Sequence, residues 1–258
     1  MRPTARRSRP GASAWPPPGR IARTLQSWFM RPARLAAVET LSPHFRLITL
    51  EGAALKDVGW TIGQKLQVAM GTGMTARTYT PIFWDAAAGR TQLLAYLHDL
   101  GTGQDAAPGS HWAAGLTVGT QYRVFGPRRS LDLSDPGSGW PVVLFGDETS
   151  FALAASLGPR SGDAAAHLFE VSDVAEARLV LARMGLGDAR VIDRQAGDTH
   201  LAVAETELTR LAARRIRFAL TGKASSIQRM SRALKTIGVP AARIRAKAYW
   251  APGKTGLD

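Results

Sequence analysis

The sequence RTYT at 77–80, followed directly by PIFWD at 81–85, indicates the fold more clearly than any other stretch of the chain. In a strand, alternate side chains share a face, so Arg77 and Tyr79 lie on one side and the two threonines on the other. A guanidinium can bind a phosphate through two hydrogen bonds, and a phenol ring can pack against an isoalloxazine. The stretch therefore fits a flavin clamp, and an ordinary strand with a surface arginine is the alternative interpretation.

The composition limits the kind of protein that this chain can be. With 258 residues and 45% apolar content, it is long enough for two domains of modest size. No apolar run reaches the roughly 20 residues that span a bilayer, so we expect no membrane partner and a cytoplasmic location. The absence of cysteine excludes disulfides, cysteine-ligated iron–sulfur clusters and thiolate catalysis. Redox chemistry would therefore need an organic cofactor or a metal held by other residues.

The net charge of +13 is concentrated near the N-terminus. Eight arginines precede the first acidic residue, Glu39, and the rest of the chain has 25 basic against 20 acidic residues. Residues 1–33 are rich in Pro and Arg, so we expect a disordered basic tail. A basic nucleic-acid-binding protein that uses this tail is one interpretation. A mildly basic body also suits an anionic small molecule, which we favour over a nucleic-acid partner.

Residues 34–133 predict a closed antiparallel β-barrel of six strands. Short alternating runs bounded by turn residues occur at 35–40, 45–50, 64–70, 79–84, 91–98 and 121–125. A short helix is predicted near 110–114. Gly109 and Ser110 fall where this helix begins, so a free amide and a hydroxyl are available to an anion there. Together with Arg77 they predict a pyrophosphate site.

Residues 140–258 predict a mainly parallel α/β domain. An apolar run at 141–145 ends in GDETS at 146–150, and strand–helix pairs follow at 165–184, 190–213 and 216–237 before a last strand at 243–250. Such sheets bind ligands at the carboxyl ends of their strands. Asp147 and Glu148 lie at this edge, either as an acid–base pair or as an ordinary first helical turn. Both interpretations stay open.

Taken in order, these motifs resemble those of the siderophore-interacting protein family, FAD-dependent ferric-siderophore reductases with a ferredoxin-reductase-like fold. The motifs are RTYT at 77–80, His98 with GSHWA at 109–113, GPR at 126–128, GDET at 146–149 and YW at 249–250 with Gly253. They run from about residue 34 to residue 253. The resemblance implies a FAD-binding β-barrel followed by a nicotinamide-binding α/β domain.

The resemblance also implies roles for individual residues. Arg77 would contact the FAD pyrophosphate, Tyr79 would pack on the isoalloxazine and Thr80 would lie near its reactive edge. The rest of the FAD site would be formed by His98, Gly109, Ser110 and Trp112. The nicotinamide pocket would be bordered by Asp147, Glu148 and Thr149, with Tyr249 and Trp250 approaching the flavin from the second domain. Basic residues would attract an anionic ferric chelate, namely Lys65, Arg128 and Lys254.

Two departures from the family pattern affect the substrate and the electron donor. Lys223 stands where the family often has an acidic residue, which would favour a phosphorylated nucleotide. Ala251 stands where an arginine usually follows Tyr-Trp, which leaves Lys254 as the substitute. Glu170 follows the second strand of the α/β domain, where a carboxylate would bond a ribose diol and favour NADH. NADH and NADPH therefore both stay open.

The sequence thus predicts a monomeric oxidoreductase in which NADH or NADPH reduces FAD, and the flavin then reduces Fe(III) in a ferric siderophore to release Fe(II). No catalytic side chain and no protein-bound metal is predicted, because the flavin performs the chemistry. A general NAD(P)H:flavin or quinone reductase is the alternative within redox chemistry. The nucleic-acid-binding protein is the alternative from another class.

Overall fold

The computed structural model describes residues 30–70, 76–98, 108–133, 139–158 and 167–253. Lys254 and residues 1–29 of the expected tail lie outside these ranges. The first strand begins at Arg31, which pairs with Val124, so residues 31–33 lie in a sheet although we expected them in the tail. No helix of the described residues is long and apolar enough to cross a membrane.

The N-terminal half forms an antiparallel sheet of seven strands in the order β4-β3-β7-β1-β2-β6-β5. One short helix, α1, spans Pro108–Ala114. The strands are β1 Arg31–Ser42, β2 Phe45–Glu51, β3 Lys65–Ala69, β4 Ala76–Tyr79, β5 Pro81–Asp85, β6 Arg90–Tyr96 and β7 Gln121–Arg128.

The expected closed barrel of six strands needs correction in its strand count and its closure. The run predicted as one strand is divided at Thr80 into β4, which pairs with β3, and β5, which pairs with β6. Within the described chain no ladder joins β4 to β5, so the sheet is not a closed barrel. Pro81 has no N–H to donate, and it favours such an interruption. Thr80 alone links the two edge strands of the sheet.

The C-terminal half confirms the predicted alternation of strands and helices around a parallel sheet. Its five strands have the order β10-β9-β8-β11-β12, and all four neighbouring pairs are parallel. The strands are β8 Val142–Gly146, β9 Leu168–Val171, β10 Arg190–Asp193, β11 Arg217–Lys223 and β12 Ile244–Trp250. The helices are α2 Phe151–Ser156, α3 Val174–Arg183, α4 Leu201–Ala212 and α5 Ala224–Thr236.

The two sheets share part of their hydrophobic core. Phe45 of β2 stacks on Phe151 of α2 with ring centroids 5.5 Å apart, and Phe151 packs edge-on against Phe169 of β9 at 4.8 Å. Next to these rings, Glu176 of α3 accepts a hydrogen bond from the backbone N–H of His44 at 2.9 Å and contacts the His44 ring at the same distance. These contacts fix the carboxyl edge of the parallel sheet beside the antiparallel sheet.

Candidate functional site

Arg77 lies against the beginning of helix α1. A Cβ atom added to Gly109 would be 3.4 Å from both Cγ and Nε of Arg77, so the stem of the side chain passes close to the helix start. Among described residues, the guanidinium forms one hydrogen bond, to the neighbouring carbonyl of Ala76 at 3.1 Å. Arg77 forms no ion pair with any residue that the structure describes. The charge is thus available to an anion at the position where the sequence predicts a pyrophosphate.

Helix α1, whose start lies against Arg77, contains two buried polar groups. Ser110 is 4% exposed, and neither its Oγ nor the Nε1 of Trp112 has a hydrogen-bond partner among the residues that the structure describes. An unpaired buried polar group costs about 1–3 kcal/mol, so a polar ligand that supplies partners would be favoured here. These two donors and the Arg77 guanidinium fit the phosphate and hydroxyl groups of a dinucleotide such as FAD.

An aromatic layer continues from α1 to the RTYT strand. The Tyr79 and Trp112 rings lie 5.7 Å apart, and Trp112 in turn meets Tyr122 of β7 edge-on at 5.5 Å. Burial raises the pKa of Tyr79 well above its usual range, and the Arg77 charge opposes this only in part. Tyr79 is therefore a neutral phenol at any working pH, as packing against an uncharged ring system requires.

The ends of β4, β6 and β12 meet at a second group of predicted residues. The Tyr249 hydroxyl lies 3.5 Å from Thr80 Oγ1, and the Trp250 ring meets His98 edge-on with centroids 6.2 Å apart. Burial raises the pKa of Tyr249 to about 12, with the Thr80 contact opposing and the Asp147 charge adding to it. The structure thus brings together side chains from both halves of the chain that the sequence assigns to one flavin site.

Asp147 is fully buried at the carboxyl end of β8. Its Oδ1 accepts a hydrogen bond from the Thr149 N–H at 3.0 Å, and its Oδ2 accepts one from Trp250 Nε1 at 2.7 Å. Burial raises the pKa of Asp147 to about 6, the bonds from Thr149 and Trp250 oppose the rise, and Glu148 adds to it. Asp147 therefore caps the short 3₁₀ turn Glu148–Ser150 and also holds Trp250.

Glu148 forms a buried ion pair that the sequence does not reveal. Its Oε2 lies 2.8 Å from Nη2 of Arg194, and its Oε1 accepts a hydrogen bond from the Ser172 N–H at 2.6 Å. Arg194 also donates to Ser172 Oγ at 2.6 Å and to the Glu170 carbonyl at 3.0 Å. The pair links the carboxyl ends of β8, β9 and β10. No local motif marks Arg194, because its partners lie 22 to 46 residues away.

Solved structures with this arrangement of sheets include three proteins that handle siderophores. A siderophore utilization protein from T. fusca is 21% identical, with 89% of this chain and 95% of that chain covered and a TM-score of 0.64. The siderophore-interacting protein SipS from Aeromonas hydrophila is 19% identical over 88% and 93% of the chains, with a TM-score of 0.66. The siderophore-interacting protein from Acinetobacter baumannii is 15% identical over 87% and 92%, with a TM-score of 0.67.

The chain has the fold of these siderophore-interacting proteins. A ferredoxin reductase of carbazole 1,9a-dioxygenase shares it as well, at 17% identity over 86% of this chain and 69% of that one, with a TM-score of 0.68. The ferredoxin-reductase-like resemblance inferred from the motifs is thereby confirmed at the level of fold. No protein-family model and no curated protein matches the sequence.

Within this ferredoxin-reductase-like fold, the ribose role expected for Glu170 is wrong. Glu170 is 1% exposed, and its Oε2 lies 2.7 Å from Nε2 of His200. Because Nδ1 of His200 accepts a hydrogen bond from the Gln195 N–H at 3.2 Å, the ring proton is on Nε2, which donates a hydrogen bond to Glu170. The carboxylate is enclosed in the protein and paired with His200, which removes the argument for NADH.

The opposite argument, from Lys223, is weakened in the same way. Its Nζ lies 2.7 and 3.0 Å from the two carboxylate oxygens of Asp198. The hydrogen bond from Lys223 is the main cause that lowers the pKa of Asp198. The charge of Lys223 is therefore compensated, and it adds little attraction for a phosphorylated nucleotide.

The two described residues expected to attract a ferric chelate differ in exposure. Lys65 is 7% exposed and stands opposite Arg128 in the β3–β7 ladder. Arg128 is exposed at the end of β7, with its guanidinium 4.6 Å from the centre of the Phe125 ring and 3.4 Å from Gln67 Oε1. Of this pair, Arg128 alone presents its charge to solvent. The described residues contain no group of three or more His, Cys, Asp or Glu that would hold a metal ion.

Proposed function

We propose that the protein is a flavin-dependent oxidoreductase that takes electrons from NADH or NADPH and reduces Fe(III) in ferric siderophores, acting as a monomer in the cytoplasm. One observation carries the flavin assignment. The Arg77 guanidinium has no ion pair among the described residues, and its stem lies against the start of α1, a helix whose buried donors Ser110 Oγ and Trp112 Nε1 lack partners in the same part of the chain. These groups are complementary to a dinucleotide.

In this proposal, each group of side chains has a physical task. Arg77 neutralises phosphate charge, and Ser110 and Trp112 donate hydrogen bonds to the same ligand. Tyr79 presents a neutral ring from β4, while Tyr249 and Trp250 approach from β12 and exclude water from the opposite side. FAD, when bound, supplies the conversion between two-electron and one-electron chemistry. The chain supplies position and electrostatics.

The ferric siderophore is proposed as substrate on two grounds. Three solved structures of this fold are described as siderophore utilization or siderophore-interacting proteins, and each is covered over more than nine-tenths of its length. Arg128 offers an exposed cation close to the β3–β4 side of the sheet, where it would attract a negatively charged chelate. Fe(II) binds hard oxygen donors less tightly than Fe(III), so reduction would release the iron.

The test is the absorbance spectrum of the purified protein, followed by NADH and NADPH oxidation assays with several ferric chelates and a quinone. We expect bound flavin and a preference for a ferric chelate. A yellow protein that reduces quinone as well as any chelate would replace the proposal with a general NAD(P)H:flavin or quinone reductase. A colourless protein that retains nucleic acid, with a steep salt dependence lost on removal of residues 1–30, would contradict flavin binding altogether.

A further inference from the structure

Trp250 has an unusual position at the end of an edge strand. The β11–β12 ladder is regular up to the pair Gly222–Ala248 and then shifts, so that Lys223 pairs with Trp250 and Tyr249 is the extra residue. Such a bulge redirects the side chains around it. Trp250 is the last residue of β12, and the side-chain bond from its indole to Asp147 at 2.7 Å completes its placement.

Asp147 is arranged to accept this bond. Oδ1 is occupied by the Thr149 N–H and hydroxyl, which leaves Oδ2 facing the indole. Gly222 lies on the other side of the carboxylate with φ +103°, and a Cβ atom there would overlap the Asp147 carboxylate. Both carboxylate oxygens thus already accept hydrogen bonds from donors of the protein itself. The reach of Asp147 into the site runs through Trp250, which meets His98.

We propose that Asp147 is a positioning residue: it holds the Trp250 indole in one place beside His98, so that the nicotinamide nucleotide meets a fixed ring on that side of the flavin. The expected effect on the nicotinamide nucleotide rests on the proposed flavin site. The claim that the Asp147 carboxylate fixes the position of the Trp250 indole rests on their hydrogen bond alone. Asp147 would thereby act on the nicotinamide pocket, which the resemblance implies that it borders, through the Trp250 indole.

The hold should depend on pH. The ionised groups that act on Asp147 are Glu148, which favours protonation, and Arg194, which opposes it, and Tyr249 senses the Asp147 charge. When Asp147 takes up a proton, the bond from Trp250 changes from charge-assisted to neutral and loses about half its strength. Because burial puts the pKa of Asp147 at about 6, the Trp250 indole is held less firmly below that pH.

The first experiment follows the indole N–H signals of the flavin-free protein by NMR. The chain has seven tryptophans, and the signal lost in Trp250→Phe identifies Trp250. We expect this signal to move with an apparent pKa of about 6 and to stop titrating in Asp147→Asn. Trp84 serves as the control, because its Nε1 donates to the Leu55 carbonyl at 3.2 Å, and its signal should not titrate. A Trp250 signal that ignores both pH and Asp147→Asn would overturn the proposal.

The second experiment measures NAD(P)H oxidation by Asp147→Asn, Trp250→Phe and the double variant. Loss of one charge-assisted bond predicts a fall in kcat/KM of about tenfold for Asp147→Asn, with flavin content retained. In the Trp250→Phe background the same change should have almost no further effect. Additive effects would show that Asp147 acts independently of Trp250 and would overturn the inference.

The two experiments separate this inference from the flavin proposal. A protein without flavin would fail the kinetic assay, but the NMR titration would still decide whether Asp147 governs Trp250. If Asp147→Asn does not fold, the wild-type titration and Trp250→Phe remain. The hydrogen bond from Trp250 lowers the pKa of Asp147, so removing the indole should raise that pKa. The remaining NMR signals that report the titration of Asp147 should therefore titrate at a higher pH in Trp250→Phe than in the wild type.

Discussion

Arg77 is the residue on which flavin retention should depend most. Replacing it with alanine removes a charge-assisted phosphate contact worth about 1.5–3 kcal/mol, so we expect the Kd for FAD to rise about 10- to 100-fold. Titration of the flavin-free protein with FAD, followed by flavin fluorescence, measures this change. Arg90→Ala is the matched control, since Arg90 belongs to the same sheet but is already paired with Glu51. Equal FAD affinity in both variants would count against the site.

Asp147 should give the protein an unusual pH dependence of stability. Its pKa is about 6 in the folded state against 3.8 for the free side chain, so its contribution is complete below pH 3.8 and is lost as the pH rises through 6. Between pH 4 and 7 the free energy of unfolding should fall by about 2 kcal/mol more in the wild type than in Asp147→Asn. Urea unfolding at several pH values measures the difference.

The comparison with Asp147→Asn is needed because other carboxylates act in the opposite direction. Hydrogen bonds from Lys223, Arg229 and Arg210 lower the pKa values of Asp198, Glu205 and Glu207, so these groups stabilise the protein as the pH rises above their unfolded pKa values. They are present in both proteins, and their contributions cancel. If the free energy of unfolding changes with pH in the same way in both proteins, burial does not raise the pKa of Asp147.

At the residue scale, the local motifs indicated which residues lie near one another, but not the hydrogen-bond partners of Asp147 and Glu170. The stretch RTYT, the start of α1 and the Tyr249–Trp250 pair all reach the region that their order in the sequence indicated. The bond between Asp147 and Trp250 spans 103 residues, and the bond between Glu170 and His200 spans 30. Which face of a strand end meets a ligand depends on how the neighbouring helix packs. A period-two pattern carries no information on that.

At the scale of elements, Gly222 near the end of β11 leaves room for the side chain of Asp147, which is distant in sequence. Gly222 has φ +103°, which L residues rarely adopt, and a Cβ atom there would overlap the Asp147 carboxylate. We expect Gly222→Ala to destabilise the protein by about 2–4 kcal/mol, because backbone strain and displacement of Asp147 add together. Thermal or urea unfolding measures the loss.

Gly187→Ala is the control for that substitution. An added Cβ at Gly187 meets only the Cα of Ala182, at 3.9 Å, and its backbone has no positive φ. We expect this variant to stay within about 0.5 kcal/mol of the wild type. If Gly222→Ala is equally harmless and keeps the Trp250 indole signal in place, the close approach of β11 to Asp147 is not a constraint on the fold.

Elements were predicted more fully in the α/β half than in the N-terminal half. Every strand–helix pair of the parallel sheet appears, because continuous apolar runs such as β8 and capped helices such as α3 are strong local signals. The barrel prediction treated residues 79–84 as one strand. The interruption at Thr80 arises because β4 pairs with β3 whereas β5 pairs with β6, at the opposite edge of the sheet. No local sequence pattern encodes those pairings.

At the scale of the whole molecule, the proposed flavin site requires the two sheets to stay docked, since the contact between Thr80 and Tyr249 crosses from one to the other. The shared hydrophobic cluster contains Phe45 and Leu94 from the antiparallel sheet, and Phe151 and Phe169 from the α/β half. A second cluster, which includes Phe218, lies entirely in the α/β half. Removing Phe45 should therefore loosen the docking, and removing Phe218 should not.

We expect Phe45→Ala and Phe218→Ala each to lower the free energy of unfolding by about 3–5 kcal/mol, because both rings are buried and leave cavities. Only Phe45→Ala should also weaken FAD binding in native conditions, since misalignment of the sheets moves Tyr249 away from Thr80. Unfolding curves and FAD titrations of the two variants give both quantities. If the two variants bind FAD equally well despite similar losses of stability, the site is formed by the antiparallel sheet alone and the docking of the α/β half serves only the nucleotide.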